Sequence, residues 1–99
     1  MEIKVGQWVR DKDNSIIIIK DYLDLESAVE VNVKVTNTPQ ELIKEKDLLM
    51  YQDNLVYVYA IIDKLYFQDK RGYAYKFDLC SKIWTLNSNG GYDLQWEEE

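Results

Sequence analysis

The chain of 99 residues contains no histidine and only one cysteine, Cys80. A lone cysteine excludes a disulfide framework. The absence of histidine excludes histidine-dependent acid–base catalysis and the common zinc sites. One unpaired thiol is typical of a reducing compartment, so we expect the protein in the cytoplasm.

Long apolar runs are also absent. The longest, residues 16–19, holds four isoleucines, whereas a helix that spans a bilayer needs roughly 20 apolar residues. The segment Met1-Glu2-Ile3-Lys4 lacks the charged and apolar regions of a signal peptide. We therefore expect no association with a membrane.

Positive charge is scarce. Twelve Lys and Arg residues oppose eighteen Asp and Glu, which gives a net charge of −6. A general nucleic-acid binder needs a basic footprint that displaces phosphate counterions, so we do not expect nucleic acid as the partner. Three glutamates at residues 97–99 predict a solvated acidic tail, and an arm that docks on a basic partner is the alternative.

The composition is that of a folded chain. Apolar residues make up 46% of it and aromatic residues 13%, which is enough apolar surface to offset the entropy of ordering. The length fits one compact domain, which we place at residues 1–96. The excess of lysine over arginine and the many isoleucines are typical of AT-rich genes, so we expect a low-GC bacterium or one of its phages as the source.

Most of the apolar patterning has the period of two that is typical of strands. Alternation predicts strands at residues 29–36 and 73–77, and residues 82–86 read as a further strand. Residues 16–19 and 55–62 are apolar on both faces and predict central strands. Arg71-Gly72 predicts a hairpin turn, and Thr38-Pro39 predicts one helical turn over residues 38–43. The fold class we expect is all-β.

An internal repeat is visible at a shift of forty residues. Residues 3–22 then align with residues 43–62, with identities at Ile3, Lys4, Asp13 and Asn14. Apolar positions also meet apolar positions. We expect two related β-units, residues 1–40 and 41–86, with the short helical turn between them and a shared core. The alternative is that any two strand hairpins look alike.

The segment Val5-Gly6-Gln7-Trp8-Val9 resembles the opening of small SH3-like β-barrels, including short proteins of phages and prophages of low-GC bacteria. The resemblance implies one or two small barrels, a glycine that bends the chain into the first strand, and a buried aromatic. The sequence departs from that pattern in three ways. Gln7 replaces an acidic residue, Asn14 stands where a turn glycine is expected, and Lys46 stands where the second unit would have the counterpart of Gly6.

Aromatic side chains are the first candidates for a binding surface. On a small barrel an aromatic groove can bind peptides, and aromatic platforms can stack bases. The alternative is that these rings fill the core. We expect Trp8 and Trp84 in the core and Trp96 as an exposed anchor. The candidate aromatic residues are Tyr57, Tyr59, Tyr66, Tyr73, Tyr75 and Trp96.

Acidic side chains in the first half of the chain are the second set of candidates. They are Asp11, Asp13, Asp21 and Asp24. They could meet a basic partner, or they could be solvated turn residues. They lack the glycine and final glutamate of a calcium-binding loop, so we expect no metal there.

No arrangement of residues predicts catalysis. Cys80 has no histidine to activate it, and Gly90-Gly91 lacks the helix that completes a phosphate cradle. We expect no enzyme activity and no cofactor. Basic residues Lys64, Lys70, Arg71, Lys76 and Lys82 fall near the tyrosines and could form a local patch, although Asp63, Asp69 and Asp78 dilute it.

Together these patterns favour a non-catalytic protein-interaction module. One hypothesis is an inhibitor, encoded by a phage or mobile element, that occupies the basic channel of a host nucleic-acid enzyme. Two alternatives remain open: a nucleic-acid-binding SH3-like module that uses the tyrosines and lysines, and an assembly subunit in which residues 55–62 extend a sheet into a neighbour. The sequence does not fix the oligomeric state.

Overall fold

The computed structural model describes residues 3–30 and 34–98, and these divide between two compact units, Met1–Leu42 (unit 1) and Ile43–Glu99 (unit 2). The chain is mostly β, with three antiparallel sheets among the described residues. The boundary lies two residues beyond the end of the first predicted repeat, residue 40. Of the described helices, none is long and apolar enough to cross a membrane.

The described part of unit 1 contains one sheet and one α-helix. Its strands lie in the order β2-β1-β3. The elements are β1 (Trp8–Arg10), β2 (Ile16–Ile18), α1 (Tyr22–Glu30), β3 (Val35–Thr36) and a 3₁₀ helix (Pro39–Leu42). The 3₁₀ helix confirms the predicted helical turn, and its start is closed by Thr38, whose N–H donates to Glu41 Oε2 at 3.2 Å.

The strand predicted over residues 29–36 is wrong at its start, because Val29 and Glu30 belong to α1. Residues 31–33 lie outside the described part of the chain, and only Val35–Thr36 forms a strand. Two carboxylates explain the helix. Asp21 Oδ1 accepts the N–H of Asp24 at 3.2 Å, and Asp24 Oδ2 accepts the N–H of Asp21 at 3.4 Å, which is a reciprocal cap of the first turn.

The core of unit 1 forms where α1 meets the sheet. Val9, Ile19 and Ala28 are buried together, and the partly buried Leu25 packs against them. Leu25 and Ala28 are three residues apart and therefore share one face of the helix. The helical spacing of apolar residues thus outweighs the alternation of valines that predicted a strand.

Unit 2 contains the other two sheets. Their strand orders are β10-β9-β4-β5 and β6-β7-β8. The elements are β4 (Leu48–Tyr51), β5 (Asn54–Tyr57), β6 (Ala60–Ile61), β7 (Tyr66–Gln68), β8 (Ala74–Lys76), a 3₁₀ helix (Phe77–Leu79), β9 (Cys80–Leu86) and β10 (Tyr92–Glu97). The predicted hairpin at Arg71-Gly72 is confirmed as β7–β8, and the predicted strand at residues 82–86 lies within β9. Phe77, predicted as strand, lies in the 3₁₀ helix.

The prediction of central strands at residues 16–19 and 55–62 is wrong. Each of β2, β5 and β6 lies at the end of its sheet. Their outward-facing apolar side chains stay in contact with water, since Ile17 is 45% exposed and Leu55 is 59% exposed. These apolar runs lie in edge strands, and the face that carries Ile17 or Leu55 is not covered by a second layer.

The segment from Asn54 to Ile61 changes partner along its length. Its first part, β5, pairs with β4, and its last part, β6, pairs with β7. At the crossing point the N–H of Val58 donates to Asp47 O at 2.9 Å, whereas the next N–H, that of Tyr59, donates to Gln68 O at 3.0 Å. One strand thereby links the two sheets of unit 2.

The two units open with the same local structure. In unit 1 the N–H of Gln7 donates to Lys4 O at 3.3 Å, and in unit 2 the N–H of Asp47 donates to Lys44 O at the same distance. The residue before the end of each turn has a positive φ, 99° for Gly6 and 78° for Lys46. In both units two residues then oppose one on the partner strand, which is the glycine-type β-bulge.

Asn14 also takes the conformation that its glycine-like position requires. Its φ is 66°, which asparagine tolerates better than other residues with a Cβ. Asp11 Oδ1 closes the same turn by accepting the N–H groups of Asp13 and Ser15, each at 2.9 Å. The substitution of asparagine for the expected glycine therefore preserves the turn.

Candidate functional site

A groove of about 500 Å³ lies in unit 2 and is the candidate site. A smaller cavity of about 300 Å³ shares Tyr57, Asp69 and Arg71 with it and adds Lys70. Three tyrosines, one carboxylate and one guanidinium are concentrated in the groove. The residues that line it are Tyr51, Gln52, Asn54, Leu55, Val56, Tyr57, Asp69, Arg71 and Tyr75.

One side of the groove is the β4–β5 hairpin. Gln52 and Asp53 form its two-residue turn, with φ values of 48° and 68°. Positive φ at both central residues defines the turn type that matches the twist of paired strands. The turn brings Tyr51 opposite Asn54 and fixes the register of β5, so that Val56 is buried and Leu55 is exposed.

The other side of the groove is the loop between β7 and β8, and Asp69 organises it. The Asp69 carboxylate accepts the N–H groups of Arg71 at 2.9 Å and Tyr73 at 3.2 Å. The Asp69 carbonyl accepts the N–H of Gly72 at 3.0 Å, where φ is 88°. The carboxylate thus satisfies the backbone of its own loop, as aspartate commonly does in turns.

Asp69 also joins the loop to β8. Tyr75 Oη donates to Asp69 Oδ2 at 2.9 Å, and Arg71 Nη2 lies 3.4 Å from the same oxygen. Burial of the carboxyl opposes ionisation, but the hydrogen bonds from Tyr75, Tyr73 and Arg71 outweigh it, so the pKa of Asp69 is lowered. The hydrogen bond to Asp69 raises the pKa of Tyr75. At neutral pH the site therefore holds an ionised Asp69 and a neutral Tyr75.

Aromatic contacts hold Tyr75 in place. Its ring packs edge-on against Tyr51, with centroids 5.0 Å apart, and stacks on Phe67 at 5.3 Å. Phe67 is completely buried and also contacts Phe77 at 5.4 Å. Tyr75 therefore joins the groove wall to the core of unit 2. Aromatic pairs of this kind add stability beyond the burial of their surface.

Arg71 is the exposed charge of the groove. Its side chain is 74% exposed, and its guanidinium lies 4.9 Å from the ring centroid of Tyr73. A guanidinium has five N–H donors. Asp69 and Tyr75 interact with Arg71, and the remaining donors are available to a ligand.

The structure separates the aromatic candidates. Tyr57 and Tyr75 line the groove, and Tyr73 lies beside it under Arg71. Tyr59 and Tyr66 are exposed outside the set of lining residues. Strand β5 ends at Tyr57, so Tyr59 lies beyond it, and of these two tyrosines only Tyr57 lines the groove. The alternative that the candidate rings fill the core is wrong for Tyr73, which is 60% exposed, whereas Tyr75 is half-buried and stacks on Phe67.

The tryptophans are intermediate in burial. Trp96 is half-buried in β10 opposite Ile83, rather than being an exposed anchor. Trp8 and Trp84 are also half-buried, in β1 and β9.

The acidic candidates of unit 1 serve local structure. Asp11 closes the β1–β2 turn, and Asp21 and Asp24 cap α1. Asp13 is exposed at the tip of the same turn as Asp11. Neutralising all four residues would therefore alter stability together with charge, and it is unsuited as a test of charge alone.

The basic residues do not all face one ligand. Lys82 lies 3.0 Å from Glu97 and forms an ion pair across β9 and β10. Lys70 and Arg71 line the two cavities, whereas Lys64 and Lys76 are exposed outside the lining residues. Of the five basic residues, Lys70 and Arg71 therefore lie with the tyrosines at the groove, and the other three do not.

Two central residues of the groove, Tyr51 and Asp69, are not among the candidates that the sequence indicates. Tyr51 precedes a turn, and its role depends on the ring of Tyr75. In the sequence pattern, Asp69 stands out only as a negative charge among the basic residues. The signal that could have identified it is its position before Lys70-Arg71-Gly72, because an aspartate at the start of a glycine turn accepts backbone N–H groups.

Cys80 is a buried residue at the start of β9 and is 1% exposed. Burial raises the pKa of its thiol to about 12, so the thiol is protonated at neutral pH and lacks the thiolate that a nucleophile requires. Within residues 3–30 and 34–98, no three acidic or cysteine side chains are grouped as metal ligands.

Comparisons with protein-family models, with curated proteins and with solved structures give no match for this chain.

Proposed function

We propose that this protein is a non-catalytic protein-interaction module that binds a segment of a partner protein in the groove of unit 2. The observation that carries the proposal is the combination of Tyr51, Tyr57 and Tyr75 with Arg71 in a cavity of about 500 Å³. Tyrosine and arginine are the residue types enriched where protein partners bind most tightly. The volume falls within the range of pockets that bind small ligands or individual side chains.

The support for a rigid site is the way its walls are built. Tyr75 is anchored by Phe67 and Tyr51, and the loop that carries Arg71 is closed by Asp69. A site that is ordered before binding loses less entropy when the ligand arrives. We therefore expect the groove to keep its shape when it binds.

We also propose that unit 2 is SH3-like. The support is the single strand segment, residues 54–61, that pairs with β4 in one sheet and with β7 in the other. Strands that pass from one sheet to the next form the corners of small two-sheet β-domains. The matched opening turns of the two units support the proposal that they are related, as the repeat at a shift of forty predicted.

The inhibitor hypothesis keeps its support from the net charge of −6, which would speed association with a basic enzyme channel. Asp11, Asp21 and Asp24 do not add to this support, since their carboxylates accept hydrogen bonds from nearby backbone N–H groups. The interaction module is therefore the proposal that the site geometry supports best.

The test is selection from a random dodecapeptide library against the whole chain, with binding measured by fluorescence anisotropy. We expect selected peptides to bind the wild type and Tyr59→Ala equally, and to bind Tyr57→Ala at least about tenfold more weakly. Tyr59 is a matched control because it is exposed outside the groove. Equal binding to all three proteins, or no selected peptide, would contradict the proposal.

A further inference from the structure

Strand β5 lies at the end of its four-stranded sheet, beside the groove. Among the described residues, β4 is the only strand that pairs with it. Leu55 and Tyr57 of β5 line the groove together with Arg71 of the β7–β8 loop. The groove therefore runs along an open sheet edge.

Two hydrogen bonds of the residues directly after β5 fix the direction of the backbone groups in β5. The N–H of Val58 faces β4, because it donates to Asp47 O, and the N–H of Tyr59 faces the opposite side, where it donates to Gln68 O. Successive residues of a strand alternate in this direction. The N–H and C=O groups of Leu55 and Tyr57 therefore face the same side as those of Tyr59, away from β4.

On that side β7 covers only the end of the segment. Its last residue, Gln68, pairs with Ala60 and accepts from Tyr59, and Asp69 then turns the chain into the loop. The edge at Leu55 and Tyr57 is thus left open where the groove begins. An incoming strand would pair with the same side of the segment on which β7 already accepts the N–H of Tyr59.

The other end of the sheet differs in its protection. Strand β10 has a β-bulge between Leu94 and Trp96 and carries Asp93 and Glu97, which are devices that discourage strand addition. Strand β5 has a regular register with β4 and an apolar, 59% exposed Leu55. Of the two ends of this sheet, β5 is therefore the better suited to accept another strand.

The charge beside this edge selects the ligand. Asp69 accepts hydrogen bonds from its own loop and from Tyr75 and lies 3.4 Å from Arg71. The Arg71 side chain is nevertheless 74% exposed, and Lys70 adds a second positive charge next to it. A guanidinium binds carboxylates in a planar, two-bond geometry. The local preference is therefore for an acidic side chain, despite the negative charge of the whole chain.

We propose that the groove binds an extended peptide segment by β-strand addition to Leu55 and Tyr57, with an Asp or Glu side chain of that segment on Arg71. This inference rests on the proposed interaction function and specifies its recognition mode. Backbone hydrogen bonds would supply affinity, and Arg71 would supply selectivity.

The experiment uses the tightest dodecapeptide from the library selection as its probe, with the full wild-type chain. Single N-methylation along the peptide removes one backbone N–H at a time. We expect losses of about tenfold at alternate residues and little change between them, because only every second N–H faces β5. Losses without this alternation would overturn strand addition while leaving the groove as the binding site.

Amide hydrogen exchange on the wild type provides a second readout that needs no variant. At a peptide concentration of 100 times the Kd, exchange at Leu55 and Tyr57 should slow by up to about a hundredfold. Exchange at Val56 should change far less, since its N–H faces β4. Unchanged exchange at Leu55 and Tyr57 would overturn the proposal.

The acidic contact is tested by Arg71→Gln against Lys64→Gln, which removes one positive charge outside the groove. We expect Arg71→Gln to weaken the peptide about tenfold and Lys64→Gln to leave it nearly unchanged. We also expect replacement of the peptide's acidic residue by its amide to have no further effect on Arg71→Gln. Equal effects of the two variants would overturn the contact. Sedimentation of the free protein as a dimer that Leu55→Pro disrupts would instead assign the edge to a second copy.

Discussion

Replacing Lys46 by glycine should stabilise the protein, although it removes a side chain. Lys46 has a φ of 78° and holds the bulge by donating its N–H to Val58 O at 2.8 Å. A positive φ costs a residue with a Cβ about 1–2 kcal/mol. Glycine avoids this cost but adds about 0.5–1 kcal/mol of entropy to the unfolded chain. The difference is a net stabilisation of about 0.5–1 kcal/mol.

The opposite change in unit 1, Gly6→Ala, should lower the free energy of unfolding. Gly6 has a φ of 99°, and a Cβ placed on it would meet no atom within 4 Å. The cost of Gly6→Ala is therefore purely conformational, and the same reasoning gives a net destabilisation of about 0.5–1 kcal/mol.

The assay is urea denaturation followed by circular dichroism, with amide exchange at Ile19 and Val58 to report on each bulge separately. Lys44→Gly is the matched control, because it removes the same charge from the same turn at a residue whose φ is not positive. It should destabilise by about 0.5–1 kcal/mol. If Lys46→Gly and Lys44→Gly changed the free energy of unfolding in the same direction, the assignment of backbone strain to Lys46 would be wrong.

Three further predictions concern individual side chains. Because the pKa of Asp69 is lowered on folding, its stabilising contribution is present above the unfolded value of about 3.9 and is lost as pH falls through the lower folded pKa. The stability advantage of wild type over Asp69→Asn should therefore shrink below about pH 4 in acid titrations, and a constant difference would contradict this. Asp24→Ala should destabilise unit 1 by about 1 kcal/mol through loss of the α1 cap, whereas Glu26→Ala, an exposed change on the same helix, should stay within about 0.5 kcal/mol in the same urea titrations. The Cys80 thiol, with a pKa of about 12, should not react with a disulfide reagent at pH 8 until urea unfolds the chain, and rapid reaction of the native protein would refute its burial.

Elements specified by nearby residues could be predicted from the sequence. The turn at Arg71-Gly72 and the strand within β9 follow from local patterns. The helical turn Pro39–Leu42 likewise follows from Thr38, Pro39 and Glu41, which lie within four residues. Such signals act over short distances, so distant contacts do not overturn them.

The groove could be predicted only in part. The aromatic pattern indicates Tyr57 and Tyr75 as candidates, but the same pattern also indicates Tyr59 and Tyr66, which lie outside the groove. Alternation identifies the face of a strand and does not tell where that strand ends or changes sheets. Asp69 and Tyr51 become site residues only when the β7–β8 loop folds back beside the β4–β5 hairpin.

The sequence by itself determined the predominance of β-structure, the positions of the main turns and the alignment of Gly6 with Lys46, because period and turn chemistry are properties of neighbouring residues. The local cap of Asp21 and Asp24, together with packing on the sheet, decided that residues 22–30 form a helix. Tertiary structure alone decided that β2 and β5 are edge strands. It also decided that Arg71 lies beside an open sheet edge. Each of these depends on which distant segment covers a face or an edge, and that pairing is settled by burial and hydrogen bonding across the whole unit.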